Sequence, residues 1–173
     1  MTTTPDRTTP PFVLTRDFNA PRELLFAALT QAEHLQHWMC PVGLQPVPGM
    51  LDLRPGGSYH YGMRAPDGSV SWGRWVFRDI VAPERLVTVV HFSDAAGAVT
   101  RHPMAPTWPL HTLSTTTLTD IGGGRTRMHL DWRALNATEV EEQVFNSAHA
   151  GMAQGWGGTM AVLDQYLGLI QQA

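Results

Sequence analysis

Near the end of the chain, Phe145, His149, Met152, Trp156, Met160, Leu163, Leu167 and Ile170 recur at steps of three or four, a spacing that places them on one helix face. His149 is the ionisable member of this apolar stripe. Burial depresses the pKa of an imidazole and leaves it needing a hydrogen-bond partner. His149 is therefore a weak candidate for a general base, set against the plainer reading of a core histidine satisfied by a carbonyl or water. No nucleophile, base and orienter can be assembled around it by spacing, so no catalytic residue is assigned. The stretch from Ser93 to Pro109 carries Arg101, His102 and Trp108 among Pro103, Pro106 and Pro109. A long aperiodic connection of this kind is often functional. It reads as a lid in which Arg101 meets an anionic or carbonyl group and Trp108 covers a cavity mouth, or else as a solvated loop with a packed tryptophan. The hydroxyls of Tyr59 and Tyr61, and those of Ser114 and Thr116 if Leu118 points inward, would orient a ligand rather than react with it.

Other groupings carry less. His34, His37 and Cys40 are spaced by three, but a zinc site needs a fourth ligand or an open water position with supporting groups, and none is evident. His91, His111 and His129 fall on three neighbouring strands, yet the parity of His129 against Met128 and Leu130 sends it to the outer face, away from a shared inner cluster. Gly56-Gly57 and Gly122-Gly123-Gly124 lack the lysine and following helix of a phosphate loop and read as hairpin turns. No metal and no cofactor is expected.

The elements that would position these residues follow from patterning. The chain has 173 residues, 43% hydrophobic and 16% charged, enough to bury one core. Twelve basic against fifteen acidic side chains give a net charge of −3 without a basic cluster, which argues against nucleic acid as a partner. No apolar run reaches membrane-spanning length and the start has no signal-peptide pattern. The lone Cys40 excludes an internal disulfide and fits a reducing compartment; a cytoplasmic location is expected. Residues 1–10 read as a flexible tail and 11–173 as a single domain. Phe12–Phe18 reads as a first strand. Two short helices follow, the second capped by Thr30 and Glu33. Tyr59/Tyr61/Met63 and Thr126/Met128/Leu130/Trp132 alternate as in a half-covered antiparallel sheet, and turn signals at Arg54–Gly57, Ala65–Gly68, Ala82–Arg85 and Ile121–Gly124 make it a meander. After cap choices at Asn136 and Thr138, the stripe gives one helix of about seven turns. The fold class is α+β: a strand, two short helices, six more strands, and a long helix gripped by a curved sheet. Such a sheet around one rod leaves a central cavity, faced by Tyr59, Tyr61, Met63, Met128, Leu130, Trp132, Met152, Trp156 and Met160. Methionine and tryptophan suit its lining.

The order Asn19-Ala20-Pro21-Arg22-Glu23-Leu24-Leu25-Phe26, Leu35-Gln36-His37-Trp38, Asp52-Leu53-Arg54-Pro55-Gly56-Gly57 and Pro66-Asp67-Gly68 resembles the START-like superfamily called SRPBCC. So do Ala82-Pro83-Glu84-Arg85-Leu86, Phe92-Ser93-Asp94, Thr100-Arg101-His102-Pro103, Pro106-Thr107-Trp108-Pro109-Leu110 and Gln154-Gly155-Trp156. Within that superfamily the likeness is to the bacterial homologues of the heat-shock-protein-90 ATPase activator, near the calicheamicin-resistance protein. Cys40, in Trp38-Met39-Cys40-Pro41, departs from the small residue similar proteins often have there. The resemblance, over about Phe12 to Leu167, implies the helix-grip (birch-allergen-like) fold with a central cavity. It implies members that bind hydrophobic small molecules, cyclise or hydrolyse polyketides, or dock on a chaperone. The reading is a receptor for a small hydrophobic or amphipathic molecule, with Tyr59, Tyr61, Met63, Arg101, His102, Trp108, Met128, Trp132, His149, Met152 and Trp156 as ligand-binding candidates. A cyclase or hydrolase using the same cavity and a chaperone-interacting module are the alternatives. The outer sheet face and its edges leave a homodimer open.

Overall fold

The computed structural model describes residues 10–173, so the tail expected over residues 1–10 lies outside the described residues but for Pro10. In chain order the elements are β1 (Phe12–Phe18), α1 (Arg22–Thr30), α2 (Ala32–Trp38), β2 (Gln45–Leu51), β3 (Ser58–Arg64), β4 (Val70–Val81), β5 (Arg85–Ser93), β6 (Val99–Thr100), β7 (His111–Gly122), β8 (Arg125–Leu135), α3 (Glu139–Ser147) and α4 (His149–Ile170). The strands form one antiparallel sheet in the order β1-β8-β7-β5-β4-β3-β2, with β6 paired to β5.

Alternation drives the sheet, as on β8. Thr126, Met128 and Leu130 are buried while Arg125, Arg127 and His129 between them are exposed. His129 bonds Thr15 on the outer face at 3.0 Å. The β7–β8 turn uses Gly122, Gly123 and Gly124 at φ of +82°, +64° and +70°, three consecutive left-handed residues that side chains with a Cβ adopt only under strain. The inner face packs on α4 through Met160, Leu163 and Leu167, all fully buried beside Phe18, Leu25, Leu35 and Phe77. Burial of each such side chain is worth roughly 1.5–3 kcal/mol before entropy. Helix α2 is fastened to α4 by a His34–Tyr166 hydrogen bond of 2.7 Å and by His37 stacked on the same ring, so these two histidines serve packing.

Three local expectations are corrected. The Thr30–Glu33 cap does not form: Thr30 ends α1, its buried hydroxyl donates to the Phe26 carbonyl at 2.7 Å, and Gln31 takes the N-cap position of α2 without a side-chain capping bond. A hydroxyl this deep finds a partner back along its own helix. The terminal helix is two helices. Thr138 and Glu141 make the expected capping box, but α3 stops at Ser147, where the Ala148 N–H turns back to the Phe145 carbonyl at 3.2 Å before α4 begins. Seven strands, not six, follow the short helices. The addition is β6, set up by Asp94, whose carboxylate accepts the N–H groups of Ala96 and Ala98 at 2.9 Å and tightens a hairpin within the segment that lacked periodicity.

Candidate functional site: a cavity between sheet and helix

The N-terminal half of α4 touches the sheet where His149 packs on Phe12 and Trp156 on Trp132, but leaves a gap beside these contacts. A partly open cavity of about 480 Å³ lies there between sheet and helix. Its wall takes Tyr61 and Met63 from β3, Trp75 from β4, Met128, Leu130 and Trp132 from β8, and Met152, Trp156 and Met160 from α4, with Trp108 and Pro109 from the loop ahead of β7. Met160 is buried, whereas Trp156 and Met152, one and two turns nearer the N-terminus, stay half-buried because open space lies beneath them. The Tyr61 ring lies over Gly73: a Cβ there would stand 2.5 Å from the ring's Cζ and hydroxyl. The missing side chain is what lets Tyr61 lie flat. Burial pushes the Tyr61 phenol up to about 12, so it is a neutral donor at ordinary pH.

Leu118 points into the core, and Ser114 and Thr116, of the same parity, line the cavity with Thr88. Thr88 faces Ser114 across the β5–β7 ladder, and Ser114 faces Trp132 across β7–β8. Thr112 also lines the wall, but its hydroxyl donates to the Val90 carbonyl at 3.1 Å.

The remaining candidates sit around this space rather than on its wall. Tyr59 stacks on Tyr61 with centroids 5.2 Å apart and faces a second, smaller pocket of about 150 Å³ shared with Cys40; burial raises the Cys40 thiol above its usual range. Arg101 turns to α3, where it ion-pairs with Glu141 and donates to the Trp108 carbonyl at 3.3 Å. That bond, with the Thr138 backbone second, holds the Glu141 carboxyl below the usual carboxylate range. The contact fastens the 101–110 loop to the capping box of α3 and occupies the guanidinium. His102 packs edge-on to Phe92 at 4.5 Å behind Trp108, and its Nδ1 accepts the Met104 N–H. His149 packs edge-on against Phe12 and Phe145, at 5.7 and 5.4 Å, with its Nε2 buried and unpartnered among the described residues. It is a packing residue beside the cavity.

Sequence reasoning missed Trp72, Trp75, Thr88 and Phe92, which also line the space. Strands β4 and β5 carry apolar side chains at both parities, and Trp72 lines the space from the parity opposite to Trp75, so alternation offered no signal there. His91 borders the cavity as well, but with parity opposite to Thr88 and Val90. Its ladder partner is Arg74, and its ring meets that of His111 at 5.5 Å. Burial first, then the neighbouring His111 and Arg74 charges, bring the His91 pKa down to about 4. Among the described residues no group of three or more His, Cys, Asp or Glu could hold a metal ion, and no helix is long and apolar enough to cross a membrane.

A bent antiparallel sheet closing on a C-terminal helix over an internal space defines the helix-grip class. The chain belongs to the family described as activator of Hsp90 ATPase homolog 1-like protein, whose model matches residues 19–168. A protein from Arthrobacter aurescens, solved in solution, has a TM-score of 0.74 at 26% identity, covering 91% of this chain and 86% of its own. A protein from Nitrosomonas europaea has a TM-score of 0.72 at 22% identity, with 95% and 97% covered. The AHSA1 protein of Silicibacter pomeroyi has 0.70 at 19%, with 92% and 98% covered. No curated protein matches.

Proposed function

We propose that the protein binds a small hydrophobic or amphipathic molecule in the cavity between the sheet and α4. The observation that carries this reading is a space of about 480 Å³ walled by aromatic, methionine and aliphatic side chains, within the size range and chemistry of small-molecule sites. The reading treats residues 11–173 as one domain working in the cytoplasm, alone or as a homodimer through the outer sheet face. Of the candidate residues, Tyr61, Met63, Trp108, Met128, Trp132, Met152 and Trp156 would touch the guest. Tyr59 would support Tyr61, and Arg101 and His102 would hold Trp108 in place. The test is native mass spectrometry of protein purified from its own host, backed by a tryptophan-fluorescence ligand screen. A co-purifying small molecule, or saturable quenching, is expected; a protein that carries nothing and quenches with no apolar probe would refute the receptor reading.

Family membership favours a second reading, an interaction that stimulates a chaperone ATPase. That reading predicts faster ATP hydrolysis by the host's Hsp90-type chaperone when the protein is added, whether or not the cavity is blocked. A cyclase or hydrolase role has less support, since His149 packs between two phenylalanine rings rather than on the cavity wall.

A further inference from the structure

The cavity wall has a chemical asymmetry. Across its sheet side runs a row of small hydroxyls: Thr88 on β5, opposite Ser114 on β7, with Thr116 two residues along from Ser114. Thr112 has the same parity but is committed to a carbonyl. No side-chain hydrogen bond ties Thr88, Ser114 or Thr116 to another described residue. Ser114 is flanked across the next ladder by Trp132, whose indole Nε1 is buried without a partner among the described residues. With strands about 4.8 Å apart, the row from Thr88 to Trp132 spans roughly 10 Å. A mostly apolar wall thus carries a band of neutral donors and acceptors along its sheet side, with the Tyr61 hydroxyl, Ser71, His91 and Thr159 as the further polar groups of the lining. None of the lining side chains is Asp, Glu, Lys or Arg, and Arg101, the guanidinium at the loop, is engaged by Glu141.

Resting on the receptor reading, we propose that the cavity selects an uncharged guest carrying hydrogen-bonding oxygen or nitrogen atoms along one edge, and that Thr88, Ser114 and Thr116 read that edge. A carboxylate or sulfonate brought into this space loses its water and meets no cation, a cost far above that of a neutral hydroxyl. A hydroxyl on the guest instead replaces water on the threonine and serine oxygens and gains the modest net advantage of a neutral hydrogen bond. Fatty acids and other anionic amphiphiles are therefore disfavoured, and neutral aromatic alcohols, phenols and ketones preferred.

Three probes of one skeleton test this by tryptophan quenching in the full-length protein at neutral pH: biphenyl, 4-hydroxybiphenyl and biphenyl-4-carboxylate. The carboxylate should bind at least about tenfold more weakly than biphenyl, and the phenol about two- to tenfold more tightly. Ser114→Ala and Thr116→Val, made singly, should bring the phenol toward biphenyl, while biphenyl, which makes no hydrogen bond, binds no more weakly; cooperative urea unfolding of each variant reports that the fold is intact. Binding of the carboxylate as tight as that of biphenyl would overturn the charge selection. A phenol advantage that survives both substitutions would overturn the role of the hydroxyl row. In either case the receptor reading stands, whereas failure of all three probes to bind would bring down that reading and this inference together.

Discussion

His91 is a small case of how a single side chain couples to solution conditions. Its ring is 7% exposed, both ring nitrogens are buried without a partner among the described residues, and Arg74 and His111 flank it. Burial and these neighbours lower its pKa from 6.5 to about 4. The folded protein thus resists a proton that the unfolded chain accepts. Between those two values the unfolded state binds more protons, so the stabilisation is complete above about pH 6.5 and is lost as the pH falls toward 4. The slope from one such group cannot exceed about 1.4 kcal/mol per pH unit. Urea unfolding of the protein at pH 7, 6 and 5 should therefore show a declining midpoint, and His91→Phe, which removes the proton site at similar size, should flatten that decline. An identical decline in the variant would assign the pH response elsewhere. Glu141, whose carboxyl Arg101 holds low, follows the same logic at lower pH: its stabilisation is present above the ordinary carboxylate value and fades as the pH falls through its depressed one.

At the scale of elements, legibility depended on whether one face of a segment was buried and the other wet. β8 alternates cleanly because its outer face carries Arg125, Arg127 and His129, and the Thr138–Glu141 box was readable because a cap is written into four consecutive residues. Ser114 and Thr116 were readable as inward-facing only on the condition that Leu118 points inward, which it does. Strands β4 and β5 hid their inward set because Val76, Val87 and Val89 supply apolar residues at the other parity. The break at Ala148 was hidden because the stripe of apolar residues runs across it without a change of period. Helix α4 shows a further property of elements. Gly151, Gly155, Gly157 and Gly158 crowd the half that lies over the cavity, and a Cβ at any of them would meet nothing within 4 Å. Sterics do not demand these glycines, and each costs a helix about 1 kcal/mol relative to alanine. Gly151→Ala and Gly158→Ala should each raise the unfolding free energy by about that amount in urea titrations, and should slow amide exchange across residues 151–158. If stability is unchanged, this half of α4 is not softened by its glycines.

For the whole molecule, the two halves of α4 have different duties. From Met160 to Leu167 the helix closes the core against Phe18, Leu25 and Leu35, and the Arg16–Asp164 ion pair at 3.1 Å fastens that half to β1. From Met152 to Trp156 it roofs a void. At about 24 cal/mol per Å³, a sealed and empty space of this size would forgo on the order of 10 kcal/mol of packing, comparable with the entire stability of an ordinary domain. The fold tolerates the space because it is partly open and can hold water or a guest, and a guest that replaces that water must raise the stability of the folded state. A single-site ligand at a hundred times its dissociation constant adds about 2.7 kcal/mol. For a chain of this length that corresponds to a rise in melting temperature of roughly 5–10 °C. In thermal melts 4-hydroxybiphenyl should produce a shift of that order, growing with the logarithm of its concentration. Ser114→Phe, which places a ring in the middle of the sheet-side wall, should melt cooperatively yet show no shift. A wild-type protein whose melting point ignores saturating probe, or a blocked variant that responds as fully as the wild type, would mean that the guest binds somewhere other than under α4.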